Sequence, residues 1–141
     1  MTSLERFVDA QTGIYPQALS ELRNGIKTSH WMWFIFPQIA GLGRSPTAQQ
    51  FAIRDVAEAH AYLGHDVLGP RLGEATATVI TWGGRRTLSE IFGTIDAVKF
   101  VSCMTLFEAA SGDRGQATFA HALDALAEGA RDRQTLALIG I

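Results

Sequence analysis

The sequence has very little cysteine, no long apolar run and no pattern typical of a signal peptide. Its one cysteine, Cys103, excludes an internal disulfide and is typical of a reducing compartment. The longest uninterrupted apolar run, Trp31 to Pro37, is far shorter than the roughly 20 residues that cross a bilayer. The first residues lack a basic stretch followed by an apolar one. These absences predict a cytoplasmic protein that does not bind or span a membrane.

An excess of positive charge is also missing. The chain has 12 Lys and Arg against 14 Asp and Glu, which gives a formal net charge of −2. Arg85 and Arg86 are adjacent, but no basic stripe extends from them, and duplex binding normally needs several phosphate contacts. The composition therefore argues against duplex nucleic acid as a partner, whereas a single nucleotide stays compatible with it.

What the chain does contain is enough apolar material for one core. Of its 141 residues 47% are hydrophobic, including eight Phe and three Trp. A chain of this length buries roughly two-thirds of the surface that its unfolded form exposes. Since no linker, repeat or shift in composition divides it, we expect residues 1–141 to form a single helical domain.

Signals for helix starts recur along the chain, whereas the alternation typical of strands is almost absent. Residues 95–110 are apolar on all sides, which predicts the central helix. The pattern predicts an all-α fold, a compact multi-helix domain with an irregular topology that is not up-and-down. The predicted start signals are Thr2 with Glu5, Pro16, Ser45-Pro46, Asp55 with Glu58, Asp66, Thr87 with Glu90, and Asp132.

The run from His30 to Phe36 fits two structures. Ser29 could cap a short helix that Pro37 ends, or the run could be a buried strand, since six bulky residues in a row have no diagnostic period. Both alternatives stay open at this level.

A set of residues spread over most of the chain forms a recognisable pattern. Its members are Phe7, Gln11, Tyr15, Gly25, Lys27, His30-Trp31-Met32-Trp33, Phe36-Pro37-Gln38, Gly41-Leu42-Gly43, Ser45, Tyr62-Leu63, His65, Leu68-Gly69, Arg71-Leu72, Ile91-Phe92-Gly93, Asp96, Lys99 and Thr105-Leu106-Phe107. This pattern resembles the domain-of-unknown-function family 1810, from which the chain departs at Phe51, where Tyr is usual. The resemblance implies a mainly α-helical fold and no established reaction. The calpastatin label of some members has no physical support here, because the long disordered repeats of calpastatin are missing.

Polar side chains bracket the aromatic run, which suggests a ligand pocket. Lys27, His30 and Gln38 could fix a small ligand whose ring stacks on Trp31 or Trp33. The alternative is that the aromatic residues fill the core and the polar groups only satisfy backbone atoms.

Two further groups could hold an anion. The glycine loop before Arg44 and Ser45 leads into a helix, whose free N–H groups attract phosphate or carboxylate, although a plain capped turn explains it equally. Asp96 and Lys99 share a helix face; Arg71 could join them or clamp an anion, and a structural ion pair is the alternative.

The predicted function is therefore a pocket for a small polar or anionic ligand, nucleotide-like or sugar-phosphate-like, with a hydrolytic step as one option. His30 and Asp96 are the candidate proton donors or acceptors. The four histidines lack metal spacing and no cofactor motif is present, so neither a metal nor a cofactor is predicted. The alternative function is a non-enzymatic protein-interaction or self-association domain; the oligomeric state is not predicted, and whether the chain is an enzyme stays open.

Overall fold

The computed structural model describes residues 3–112 and 117–141, and these form ten helices. No strand occurs among them, and the single β-bridge joins Ile39 to Ile53 in parallel orientation. The all-α prediction is confirmed. The helices are α1 Glu5–Gln11, α2 Tyr15–Arg23, α3 Met32–Ile35, α4 Pro46–Gln50, α5 Val56–Gly64, α6 Leu68–Ile80, α7 Leu88–Phe92, α8 Thr94–Ser111, α9 Thr118–Leu126 and α10 Arg133–Leu138.

Most of the predicted helix starts are capped as the sequence indicates. Ser45, Asp55, Thr87 and Asp132 each accept the backbone N–H three residues further on. Of these four, only Thr87 forms a complete capping box, in which the Glu90 carboxylate accepts the Thr87 N–H.

Three predicted starts need correction or lie elsewhere. Asp66 does not cap α6; the ring nitrogen Nδ1 of His65 instead accepts the N–H groups of Val67 and Leu68. Ser29 does not cap the aromatic segment, because its hydroxyl donates to Glu21, and the helix begins only at Met32. Thr2 lies outside the described residues.

Helix α8 is central, as predicted, and packs against α5, α7, α9 and α10. Phe100, Cys103 and Phe107 are buried along it. The apolar residues at its beginning are not all buried, because Ile95 is 74% and Val98 60% exposed. Ile95 and Val98 therefore face away from the core, whereas Ala97 and Phe100 in the same turns are buried.

The aromatic residues in and after α3 pack against or into the core. Phe36 makes edge contacts with Phe92 at 5.8 Å and Phe100 at 5.1 Å between ring centroids. Phe51, at the position where the family usually has Tyr, is buried among Phe7 and Phe34. Phe36 thus packs against the end of α7 and the first half of α8.

None of the described helices is both long enough and apolar enough to span a membrane.

Candidate functional site

A cleft of about 410 Å³ opens where the segment after α2 meets the start of α8. One wall comes from the 27–33 segment and the other from the end of α7 and the first turn of α8. The volume lies in the range of small-molecule sites. The lining residues are Lys27, His30, Met32, Trp33, Phe92, Gly93, Thr94, Ile95 and Asp96.

The first turn of α8 presents free backbone donors to this cleft. Gly93 precedes the helix with φ +82°, a conformation that glycine adopts without strain, and provides no side-chain cap. Within the described residues, the N–H groups of Thr94 and Ile95 have no acceptor. Because α8 has 18 residues, its dipole adds a partial positive charge here.

Two lysines and one aspartate form an ion-pair cluster beside the cleft. Lys27 Nζ lies 2.9 Å from Asp96 Oδ2, and Lys99 Nζ lies 3.5 Å from Asp96 Oδ1. The Lys27 side chain is only 8% exposed. Each ammonium also lies 5.1 Å from an indole ring, Lys27 over Trp31 and Lys99 over Trp33. The cluster carries one positive charge more than Asp96 neutralises.

The carboxylate of Glu21 holds the 27–31 segment in place. It accepts the N–H groups of Thr28 and Ser29 at 2.8 and 3.1 Å, the Ser29 hydroxyl at 2.6 Å and the Trp31 indole N–H at 2.9 Å. Burial acts to raise the pKa of Glu21, but these hydrogen bonds and one from Gln17 outweigh it and lower the pKa to about 2.

Sequence reasoning missed Glu21, although its position gave a signal. It lies three residues after Ala18 and next to Leu22, both of which are on the apolar face of α2. A carboxylate on such a face needs several donors. The sequence therefore indicates that Glu21 is a buried carboxylate with several hydrogen-bond donors, but it does not identify those donors.

Of the aromatic residues predicted to line the pocket, only Trp33 does so. Trp31 is 1% exposed and its N–H donates to Glu21, which fits the core interpretation. Gln38 lines a neighbouring groove on the other side of Ile95.

The predicted cations at Arg44 and Arg71 do not reach the cleft. Arg44 is exposed, and the glycine loop before it ends in a plain cap, where Ser45 accepts the Ala48 N–H of the five-residue α4. Arg71 bonds Gln11 at 3.2 Å and lies over the Tyr15 ring at 5.1 Å. Burial and the hydrogen bond to Glu74 raise the pKa of that tyrosine.

The two candidate catalytic residues differ in their surroundings. Both carboxylate oxygens of Asp96 pair with a lysine, which orients the carboxylate but leaves neither oxygen without a partner. His30 is exposed at the cleft, and no described residue forms a hydrogen bond with it. Cys103 is buried, and burial raises the pKa of its thiol, so its thiolate is disfavoured. No group of three or more potential metal-ligating side chains occurs in the described ranges.

The chain is similar to one protein family and to one solved structure. The family model described as "Protein of unknown function (DUF1810)" matches residues 1–139. The crystal structure of the conserved hypothetical protein Rv1873 from Mycobacterium tuberculosis is similar with a TM-score of 0.93 and 47% sequence identity, over 99% of this chain and 98% of that chain. No curated protein matches the chain.

Proposed function

Because the chain belongs to the DUF1810 family, whose description states no reaction, we propose its function from the cleft alone. The cleft binds a small polar anion, of the nucleotide or sugar-phosphate kind. The observation that carries the proposal is the position of Lys27 beside the uncapped first turn of α8.

Three physical features support an anion rather than a cation. The N–H groups of Thr94 and Ile95 are free donors at the positive end of a long helix. Lys27 and Lys99 together exceed the charge of Asp96. Trp33 provides an apolar wall on which a sugar or base can lie.

In a hydrolytic step on the bound compound, His30 would be the proton donor or acceptor. Its exposed imidazole lines the cleft and is able to exchange a proton with a ligand, whereas Asp96 serves to orient the two lysines. We therefore expect His30→Ala to retain binding within a fewfold and to abolish any turnover, measured by product release from the compound that binds.

The first test is ligand binding by calorimetry and thermal unfolding, with nucleoside monophosphates, ADP-ribose and sugar phosphates. At 100 times its dissociation constant a ligand raises the free energy of unfolding by about 2.7 kcal/mol. Lys27→Met keeps an unbranched side chain of similar length but removes the charge, so we expect binding to weaken at least about tenfold. Arg44→Ala removes an equal charge away from the cleft and is expected to bind normally.

Either of two results contradicts this function. One is that no compound of the panel binds to the folded protein. The other is that Lys27→Met binds as well as the parent protein while Arg44→Ala does not, which would return the site to the glycine loop.

Exposed apolar side chains favour a second candidate function, protein interaction or self-association. Ile95, Val98 and Ile141 are between 60% and 76% exposed. This function predicts a mass that rises with protein concentration in sedimentation equilibrium, together with no binding by the ligand panel.

We also infer that the chain works as one domain in the cytoplasm. One continuous apolar cluster joins side chains from α1 to α9, which supports a single domain over residues 1–141. The single, buried Cys103 supports a reducing compartment.

A further inference from the structure

A second groove, of about 390 Å³, continues from the cleft along α8. Thr94 and Ile95 line both, so the two spaces adjoin at the first turn of α8. Its walls come from the loop after α3, the first turns of α8 and the start of α10. The lining residues are Gln38, Leu42, Gly43, Thr94, Ile95, Val98, Lys99, Ser102, Asp132 and Gln134.

The floor of this groove is apolar and exposed. Ile95 and Val98 stand one helical turn apart on α8 and are 74% and 60% exposed, while the following turns of the same helix are buried. Leu42 packs against the core and extends the apolar surface on the opposite wall. Nothing in the described fold covers Ile95 or Val98, although covering them would be favourable.

The cleft and the groove differ in charge from one end to the other. Lys99 lies at the junction, where it pairs with Asp96 of the cleft and lines the groove. At the far end the charged residue is Asp132, whose carboxylate accepts the N–H and hydroxyl of Thr135. A negative group is therefore favoured at the Lys99 end and disfavoured at the Asp132 end.

We propose that the ligand is an amphipathic anion, with a phosphate or carboxylate head in the cleft and an aliphatic or aromatic body over Ile95 and Val98. This inference rests on the proposed function and specifies the class of compound that the same site takes. The anionic head contacts Lys27 and the first turn of α8, and the apolar body covers Ile95 and Val98 and so excludes water from them.

The occupant is a free small molecule rather than a membrane or a second copy of the chain. Membrane surfaces attract clusters of Lys and Arg, whereas this groove has only Lys99 and ends at Asp132. A stable interface between copies takes about 20–30 residues on each side, and ten line this groove.

The test measures the dissociation constants of inorganic phosphate and of ethyl, butyl and hexyl phosphate by calorimetry. Complete transfer of a methylene from water strengthens binding about fourfold. Because the groove is open on one side, we expect about twofold for each methylene. Val98→Ser is expected to flatten this dependence and to leave phosphate binding unchanged. Ile141→Ser, at an equally exposed apolar residue outside the groove, is expected to leave both unchanged.

The outcomes separate the two proposals. If phosphate or a compound of the nucleotide panel binds but chain length has no effect, the amphipathic ligand is refuted and the anion site stands. If no anion binds, both fail. Sedimentation with phosphatidylglycerol vesicles that Val98→Ser abolishes would identify a lipid surface, and self-association that Val98→Ser abolishes would identify a second copy. Either result overturns the free ligand.

Discussion

Gly69→Ala is expected to lower the free energy of unfolding by about 3 kcal/mol, whereas Gly73→Ala, one turn further along α6, is expected to raise it by about 0.5–1 kcal/mol. A Cβ on Gly69 would lie 2.1 Å from the backbone carbonyl oxygen of Leu63, and backbone cannot rotate away as a side chain can. A Cβ on Gly73 would have no heavy atom within 4 Å. Gly73→Ala therefore gains helix propensity without a clash.

Urea unfolding of the two variants measures this difference, and each serves as the control for the other. Both glycines are inside α6, so the general effect of alanine on a helix is common to them. Equal changes in the two variants would show that the close approach of α6 to the end of α5 does not limit this position. Changes of opposite sign in the free energy of unfolding, as expected, would show that the contact with Leu63 leaves no room for a Cβ at position 69.

The sequence predicted the helices where the deciding contact is local. Ser45, Asp55, Thr87 and Asp132 cap helices through an N–H only three residues away, so four-residue patterns suffice. The prediction that Asp66 caps α6 was wrong because the ring nitrogen of His65 accepts the N–H groups of Val67 and Leu68 at the start of that helix. A pattern of capping residues based on Ser, Thr, Asp and Asn does not include histidine.

The site was predicted only in part, because its contacts join distant parts of the chain. The spacing of Asp96 and Lys99 predicts their pairing, which the structure confirms. Nothing local indicates that Lys27 pairs with the same carboxylate. Likewise Trp31 and Trp33 are equivalent in sequence, and only the packing of the fold turns one into the core and the other toward the cleft.

Glu21→Ala is expected to lower the free energy of unfolding by about 3 kcal/mol or more and to weaken anion binding, although Glu21 does not line the cleft. The substitution leaves the buried Trp31 indole N–H without an acceptor, which costs about 1–3 kcal/mol. The part-buried N–H groups of Thr28 and Ser29 lose the same acceptor and add to this cost. The released segment is the one that carries Lys27. Glu5→Ala, at an exposed glutamate on α1, is the control and is expected to stay within about 0.5 kcal/mol. A Glu21→Ala protein of unchanged stability would refute this role.

The Glu21 carboxylate is also expected to make the free energy of unfolding depend on pH in the acid range. Its pKa is about 2 in the folded protein against an ordinary value of 4.5, so the unfolded chain binds a proton first as the pH falls. The stabilisation by ionised Glu21 is therefore complete above about pH 4.5 and is lost as the pH falls toward 2, a change of about 3 kcal/mol. Glu21→Gln has no proton to bind, so the free-energy difference between parent and variant in urea unfolding should shrink by that amount between pH 6 and pH 2. Other carboxylates titrate equally in both proteins and cancel. Parallel pH profiles would mean that the hydrogen bonds to Glu21 do not favour its ionised form.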